Sequence, residues 1–322
     1  MHATGPFSRM SCVLPTLLLA LLFGSGCGES DDATDGPPVL RMVTVNWIEG
    51  LAMTYVQQQI LEDSLGATVT VNEVSGGGLA FAAVASGEAD VFNEAWLPTT
   101  HQQPWNAHRD NLQKLGYTYR GTSVGLVVPT YVEADSVPDL RRLHDALDGT
   151  VHGIEAGAAI NEQTQRTLQR YGLDEAFSVT AASGPATWSA LERAIEAREP
   201  FVAVGWTPHW KWNAFDLRYL NGATTGQNVD IWGTSEDIFT VVGTAFTDRF
   251  PKPVACFLKT FEADDQQIGS LMLAFTNRGG QSETEVARSW MRAHPDAVQQ
   301  WLQDTRTCVA SDAAVQPLDA ES

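Results

Sequence analysis

The chain has 322 residues and carries 39 acidic against 20 basic side chains, a formal net charge of −19. That balance argues against nucleic acid or an anionic membrane surface as a partner, because both call for clustered Lys and Arg. The ten tryptophans supply many indole faces, and where they fall along the chain decides the reading below.

Residues 1–26 hold one charged side chain, Arg9, and an apolar run from Val13 to Phe23 that leads into Gly24-Ser25-Gly26 before Cys27. This is the layout of a secretory signal peptide, so the chain is expected to be exported, to the periplasm or the outer face of the membrane. The run is shorter than the roughly 20 apolar residues a spanning helix needs, and nothing later approaches that length. Cys27 stands where bacterial lipoproteins carry their lipidated cysteine, although Gly24 departs from the usual Leu three places earlier; the alternative is a plain signal peptide cleaved nearby. The polar, acidic segment 27–38, closed by Pro37 and Pro38, reads as a flexible tether. Membrane association is expected only through the lipid anchor.

Next, LRMVTVNW (40–47) reads as a strand, and 51–65 as a helix with Leu51, Val56, Ile60, Leu61 and Leu65 at helical spacing and Gly66 as C-cap. A second strand over 67–74, the Ser75-Gly76-Gly77-Gly78 turn, an alanine-rich helix and a third strand over 89–96 complete a βαβαβ unit. Strands at 121–129, 148–157 and 200–206, with helices at 161–172 and 186–198, read as a second unit, and helices at 265–277 and 284–303 close the chain. The alternation predicts an α/β fold with a mainly parallel sheet. Two such units exceed what a single core usually holds, so two lobes are expected. Residues 39–128 with 233–308 form lobe I and 129–232 form an inserted lobe II, with crossings near 126–130 and 228–235. The small, polar segment 309–322 is expected to be a disordered tail. Cys12 leaves with the signal, and Cys256 and Cys308, 52 residues apart, are too distant for a CxxC motif; a structural disulfide and two buried thiols both remain open.

Ligands of open α/β sheets bind outside the carboxyl ends of the strands. Trp47, Trp96 and Trp206 each end a predicted strand. Converging indole faces suit a cation whose charged head has no hydrogen-bond donor, as in trimethylammonium, because the ring quadrupole attracts it without a donor or counter-charge. The stretches VNWIEG (45–50), SGEADVFNEAWLPTTH (86–101), GTSVGLVVPTYV (121–132), VHGIEAGAAI (151–160) and GWTPHW (205–210) resemble the glycine betaine and related quaternary-amine binding proteins of ABC importers. The resemblance implies a two-lobed, type II-like periplasmic-binding-protein fold with the ligand cleft between the lobes, delivering its ligand to permease and ATPase subunits; nothing in the sequence marks an oligomeric state, and a monomer is assumed. It also implies that Trp47, Trp96 and Trp206 form the aromatic cage, that His101 helps hold a ligand carboxylate, and that the backbone N–H groups of Gly153 and Ile154 bind it. Glu49 matches an acidic residue of choline-binding relatives, and His209 is a second residue expected near the ligand, supporting Trp206 with Trp210.

Other uses of these residues compete. Trp105, Trp188, Trp212, Trp290 and Trp301 read as packing residues, and Trp232 as either packing or cleft lining. The 75–78 turn lacks the Lys and Ser/Thr of a phosphate-binding loop and reads as a tight turn facing the cleft. A hydrolase using Glu49 or Glu94 with a histidine finds no GxSxG or HExxH support. A sugar-binding protein would stack pyranoses on the same indoles but needs more polar side chains beside them. No catalytic residue, metal site or cofactor is expected, and choline and carnitine remain alternatives to glycine betaine.

Overall fold

Runs of Val, Thr and Met alternate with Ala-, Leu- and Gln-rich stretches, and the first half of the fold follows that alternation. In a computed structural model, which describes residues 38–311 and 313–318, they form β1 (Leu40–Val45), α1 (Ile48–Leu65), β2 (Val69–Val74), α2 (Gly77–Ser86) and β3 (Val91–Leu97). The signal peptide, Cys27 and all but the last residue of the tether lie outside the described residues. β1 pairs in parallel with β2 on one side and β3 on the other. All seven residues of β3 are buried, as parallel strands covered on both faces require. Gly66, at φ 66°, takes the left-handed conformation that ends α1 and donates its N–H to Leu61 O.

After α3 (Gln102–His108), the long strand β4 (Leu112–Pro129) leads into a second set: β5 (Thr150–His152), α4 (Ala159–Arg170), β6 (Ser178–Thr180), α5 (Gly184–Ala197), β7 (Ala203–Thr207), α6 (Lys211–Ala214), β8 (Leu217–Thr224) and α7 (Val229–Trp232). The chain then returns through β9 (Glu236–Gly243) to α8 (Phe246–Arg249), α9 (Lys252–Thr260), α10 (Asp265–Thr276), α11 (Glu283–Ala293) and α12 (Pro295–Ala310). The strand order is β2-β1-β3-β9-β4-β7-β5-β6, with β8 also beside β4. The described residues fall in one compact unit. Among the described residues no helix is long and apolar enough to cross a membrane.

β4 joins the two strand sets. Through Thr122 it pairs with β9, and from Ser123 onward with β7 and β8. These pairings and that of β3 with β9 are antiparallel, so the sheet is less uniformly parallel than the alternation suggested. The returning strand β9 slots between β3 and β4 and runs antiparallel to both.

Two other elements differ from the sequence reading. The helix expected over 284–303 is two helices, because Pro295 has no N–H to continue α11 and instead starts α12 at its first position. Of the segment expected to be disordered from 309, residues 309 and 310 finish α12 and described residues beyond it touch the fold. Leu318 N–H donates to Lys114 O at 2.8 Å, and Val315 and Leu318 pack on the core. Cys256 of α9 and Cys308 of α12 are joined in a disulfide with Cα atoms 5.7 Å apart.

Candidate ligand-binding site

The strand ends converge as their sequence positions suggested. Trp47 follows β1 and caps α1, Glu49 lies in the first turn of α1, Trp96 is in β3, and Trp206 is in β7 opposite Val124 of β4. Together with Thr100, Val124, Ile154, Ala158, Ala159 and Ile160 they line a recess of about 330 Å³ including its mouth.

Each tryptophan is fixed by a different set of contacts. Trp96 donates its indole N–H to Glu94 Oε1 at 2.9 Å, and its backbone N–H to His101 Nδ1 at 3.0 Å. The peptide bonds Leu97–Pro98 and Thr207–Pro208 are both cis, so Trp96 and Trp206 are each followed by a residue, a cis proline and, further on, a histidine. The Thr99 and Thr100 N–H groups of the first such loop donate to Glu236 Oε1 from β9. Trp206 packs against Trp188 and His209, with ring centroids 5.4 and 5.1 Å away. Its carbonyl accepts from Trp212 Nε1 at 2.8 Å and from Lys211 Nζ at 3.3 Å.

The electrostatics are unusual for an apolar recess. Burial pushes the Glu49 carboxyl up to about 7, partly opposed by its own backbone N–H, the Lys211 ammonium and the Trp206 indole. Glu94 is held well above the ordinary carboxylate range by burial and then by Glu49, so the two carboxyls titrate as a pair. The Trp206 indole N–H is near enough to affect Glu49, yet neither it nor Glu49 Oε2 makes a hydrogen bond of normal geometry. Trp47 Nε1 and Glu94 Oε2 are likewise buried without a partner.

His101 stands behind Trp47 and does not line the recess, its ring stacked at 5.7 Å and 17°. Burial lowers its pKa to about 3, so the ring is neutral. With Nδ1 accepting from Trp96, its hydrogen belongs on Nε2. Of the 75–78 segment, Gly77 and Gly78 open α2; Gly77 abuts His101, and a Cβ there would fall 2.5 Å from Nε2.

The amides of Gly153 and Ile154 are engaged elsewhere. Gly153 N–H donates to Thr180 O at 2.9 Å and Ile154 N–H to Asn161 Oδ1 at 3.1 Å; of the two, it is Ile154 that lines the recess. Further along, Ala159 and Ile160 begin α4 in the wall of the recess, and Ala158 offers no side-chain cap. Their N–H groups carry no hydrogen bond within the helix, and such a terminus attracts anions. The sequence signal was present: GAAI opens a helix without the Ser, Thr, Asp or Asn that normally caps one.

His209 is buried, accepts Lys211 N–H at Nδ1 and leaves Nε2 unpartnered. It borders a larger opening on the other side of Trp47 and Trp206, also walled by Trp188 and Trp210. Trp232 is core, fully buried with its indole N–H on Thr167 Oγ1. Trp105 packs edge-on against Phe81, and Trp290 stacks near Trp301. Among the described residues no group of three or more His, Cys, Asp or Glu side chains is arranged to hold a metal ion. Lys211 belongs to the site's surroundings without having been legible in the sequence, because lysine is almost never fully buried.

Residues 38–293 match the family model described as the substrate binding domain of ABC-type glycine betaine transport systems. The chain is 30% identical over 160 residues to the glycine betaine/carnitine transport binding protein GbuC of Listeria monocytogenes, a match covering 49% of this chain and 51% of that one. The chain thus spans about half the length of that curated relative. Among solved structures, lactococcal OpuAC in its closed-liganded conformation with glycine betaine superposes with a TM-score of 0.72 at 30% identity, over 82% of this chain and 99% of that one. An ABC-transporter choline-binding protein in complex with choline gives a TM-score of 0.73 at 22% identity, over 86% and 98%, a likeness of fold.

Proposed function

The chain belongs to the family of substrate-binding domains of ABC-type glycine betaine transport systems, and on that premise we propose that its recess captures glycine betaine for an importer. The observation that carries this is that three indoles and an uncapped helix terminus line the same small recess. A trimethylammonium head has no hydrogen to donate, so aromatic faces suit it, at roughly 2 kcal/mol per desolvated ring. A carboxylate on the other end of the ligand would meet the Ala159 and Ile160 N–H groups at the start of α4, worth up to ~2 kcal/mol in a partly buried setting. After the cost of ordering the ligand, broadly micromolar affinity is expected.

In this reading residues 39–128 and 233–308 form one lobe and 129–232 the other. Trp47, Glu49, Trp96 and Thr100 then belong to the first lobe, and Ile154, Ala159, Ile160 and Trp206 to the second. Ligand bridges them, and the lobes close about a hinge. His101 acts through Trp47, and His209 through Trp206. The protein is exported by its signal peptide, held at the membrane by lipid on Cys27, and delivers ligand as a monomer to permease and ATPase subunits.

Choline or carnitine is the second reading, favoured by the unpartnered Glu49 Oε2 in the recess wall, which a ligand hydroxyl would satisfy. Titration calorimetry of the mature protein against glycine betaine, choline, carnitine and maltose, with product analysis, tests both. Saturable betaine binding without turnover is expected. A folded sample that binds no quaternary amine would sink the cage.

A further inference from the structure

Glu236 is buried at the start of β9 and does not line the recess, yet its carboxylate takes three hydrogens from the loop that does. Oε1 accepts the N–H groups of Thr99, at 3.1 Å, and of Thr100, and Oε2 accepts the Thr100 hydroxyl at 2.7 Å. The Glu236 carbonyl accepts from Thr122 Oγ1 of β4 at 2.7 Å, which fixes this end of β9 to its neighbour. A buried carboxylate persists only where donors fill its lone pairs. Among the described residues, Thr100 is the one that brings a hydroxyl to the recess wall, and the capture of a ligand as described gives Glu236 no part.

The donors of Trp96 and Thr100, the residues this segment places in the wall, are thereby all engaged. Trp96 gives its backbone N–H to His101 and its indole N–H to Glu94, and Thr100 gives both its N–H and its O–H to Glu236. A hydroxyl has one hydrogen and two lone pairs, so Thr100 Oγ1 keeps only acceptor capacity. The start of α4 has the opposite character, since the Ala159 and Ile160 N–H groups have no acceptor within the helix. A carboxylate needs such donors, whereas an ammonium head has no use for them and is repelled by their positive ends. A neutral amide at position 236 would change this: its oxygen still accepts the two N–H groups, but its nitrogen donates to Thr100 Oγ1 and releases the hydroxyl hydrogen.

We propose that Glu236 is a positioning residue that sets ligand specificity through Thr100: by taking up the hydrogens of that residue it leaves the Trp96 and Thr100 part of the wall without a donor, fit for an ammonium head and unfit for a carboxylate. This rests on reading the recess as a betaine site. The two ends of the ligand are then told apart partly by a residue that never touches it.

The test is a cycle of wild type, Glu236→Gln, Thr100→Val and the double variant, titrated with glycine betaine at pH 8, above the value of about 7 to which burial pushes Glu236. Glu236→Gln should bind about tenfold more weakly than wild type, the scale of one hydrogen left without an acceptor. Added to Thr100→Val, the same change should cost nothing further, because no hydroxyl hydrogen is there to be released. In ligand-free protein the Thr99 and Thr100 amide proton resonances should move upfield in Glu236→Gln, as a charged acceptor gives way to a neutral one. Equal weakening in both backgrounds, wild-type affinity in Glu236→Gln or unmoved amides each overturn the inference and leave betaine capture intact. Shifted amides in a protein whose wild type binds no quaternary amine support the hold of Glu236 on the loop and overturn betaine capture. Should Glu236→Gln fail to fold, protonation makes the same change in wild type. From pH 8 to 6 its affinity should then fall by about tenfold relative to Thr100→Val, and an equal pH dependence of the two overturns the inference. Asp237, the next residue on β9, is the charged group that bears on Glu236, while Glu49 and Glu94 titrate in both proteins and cancel.

Discussion

The Trp47 indole and the His101 imidazole lie nearly parallel, 5.7 Å apart between centroids, and His101 in turn rests on Gly77 at the start of α2. The chain is so close there that an added Cβ would sit 2.5 Å from Nε2. Gly77→Ala should therefore push the imidazole into Trp47, costing about 1–3 kcal/mol of stability as an overpacked core does, and weaken betaine binding. Gly78→Ala, with open space at its Cβ, should leave both unchanged or raise stability slightly. Thermal melts and titrations of the two variants side by side check this, and equal behaviour would remove His101 from the support of Trp47.

Ala159 offers a way to delete one hydrogen-bond donor and little else. Ala158 has φ −69° and ψ 127°, the extended conformation preferred before proline, and proline is well suited to the first position of a helix. Ala159→Pro should keep the fold and weaken glycine betaine by about 1–3 kcal/mol, the cost of an unpaired buried acceptor. Choline, which has no carboxylate, should bind as before. If both ligands weaken alike, the carboxylate is held elsewhere.

Glu236 makes the loop after Trp96 sensitive to pH. Burial pushes its carboxyl up to about 7, above the unfolded value of about 4.3, so the folded state holds the proton more tightly. Its contribution to stability is full below about pH 4 and is lost as pH rises through about 7, up to ~4 kcal/mol. His101 runs the other way: with a folded pKa of about 3, its contribution is present above about pH 6.5 and fades on acidification. Glu236→Gln keeps an acceptor for the Thr99 and Thr100 N–H groups and removes only the first trend. Urea unfolding between pH 4 and 7.5 should show wild type losing stability relative to Glu236→Gln as the pH rises; a constant difference would place the Glu236 titration outside that window.

The Cys256–Cys308 link closes a loop of 52 residues in sequence separation, for which the chain-entropy model gives about 4 kcal/mol. Reduction, or Cys256→Ser with Cys308→Ser, should lower the urea midpoint accordingly. Ligand affinity should hold, because neither α9 nor α12 lines the recess. An unchanged midpoint would mean that the packing of α9 on α12 already restricts the unfolded chain.

The strands that bring Trp47, Trp96 and Trp206 to the recess were legible because β1, β3 and β7 are short apolar runs ending in or near a tryptophan, and local composition suffices to see them. β9 was not, since EDIFTVVG becomes the partner of both β3 and β4 only once the chain has gone through the second strand set and returned. Pro295 was visible, yet the apolar spacing of α11 continues in α12 and masked the break. At the site, the indoles were legible one by one. The family resemblance points to Gly153 and Ile154 for the carboxylate contact, at a strand end, whereas the Gly153 amide is taken up by Thr180 of β6 and the Ile154 amide by the Asn161 side chain, and the start of α4 reaches the recess. Lys211 had no signal at all, because its burial is made by Trp188, Trp206 and Trp212, which converge only in the folded chain.

Six of the ten tryptophans, Trp47, Trp96, Trp188, Trp206, Trp210 and Trp212, line the recess, its neighbouring opening or the Lys211 ammonium. Trp290 and Trp301 sit apart, near the disulfide-linked α12. If the recess takes a ligand as proposed, intrinsic fluorescence offers a probe, because most indoles sit beside the recess while two sit at α11 and α12. Single replacements at Trp290 and Trp301 are expected to leave the ligand response in place, since neither lines the recess.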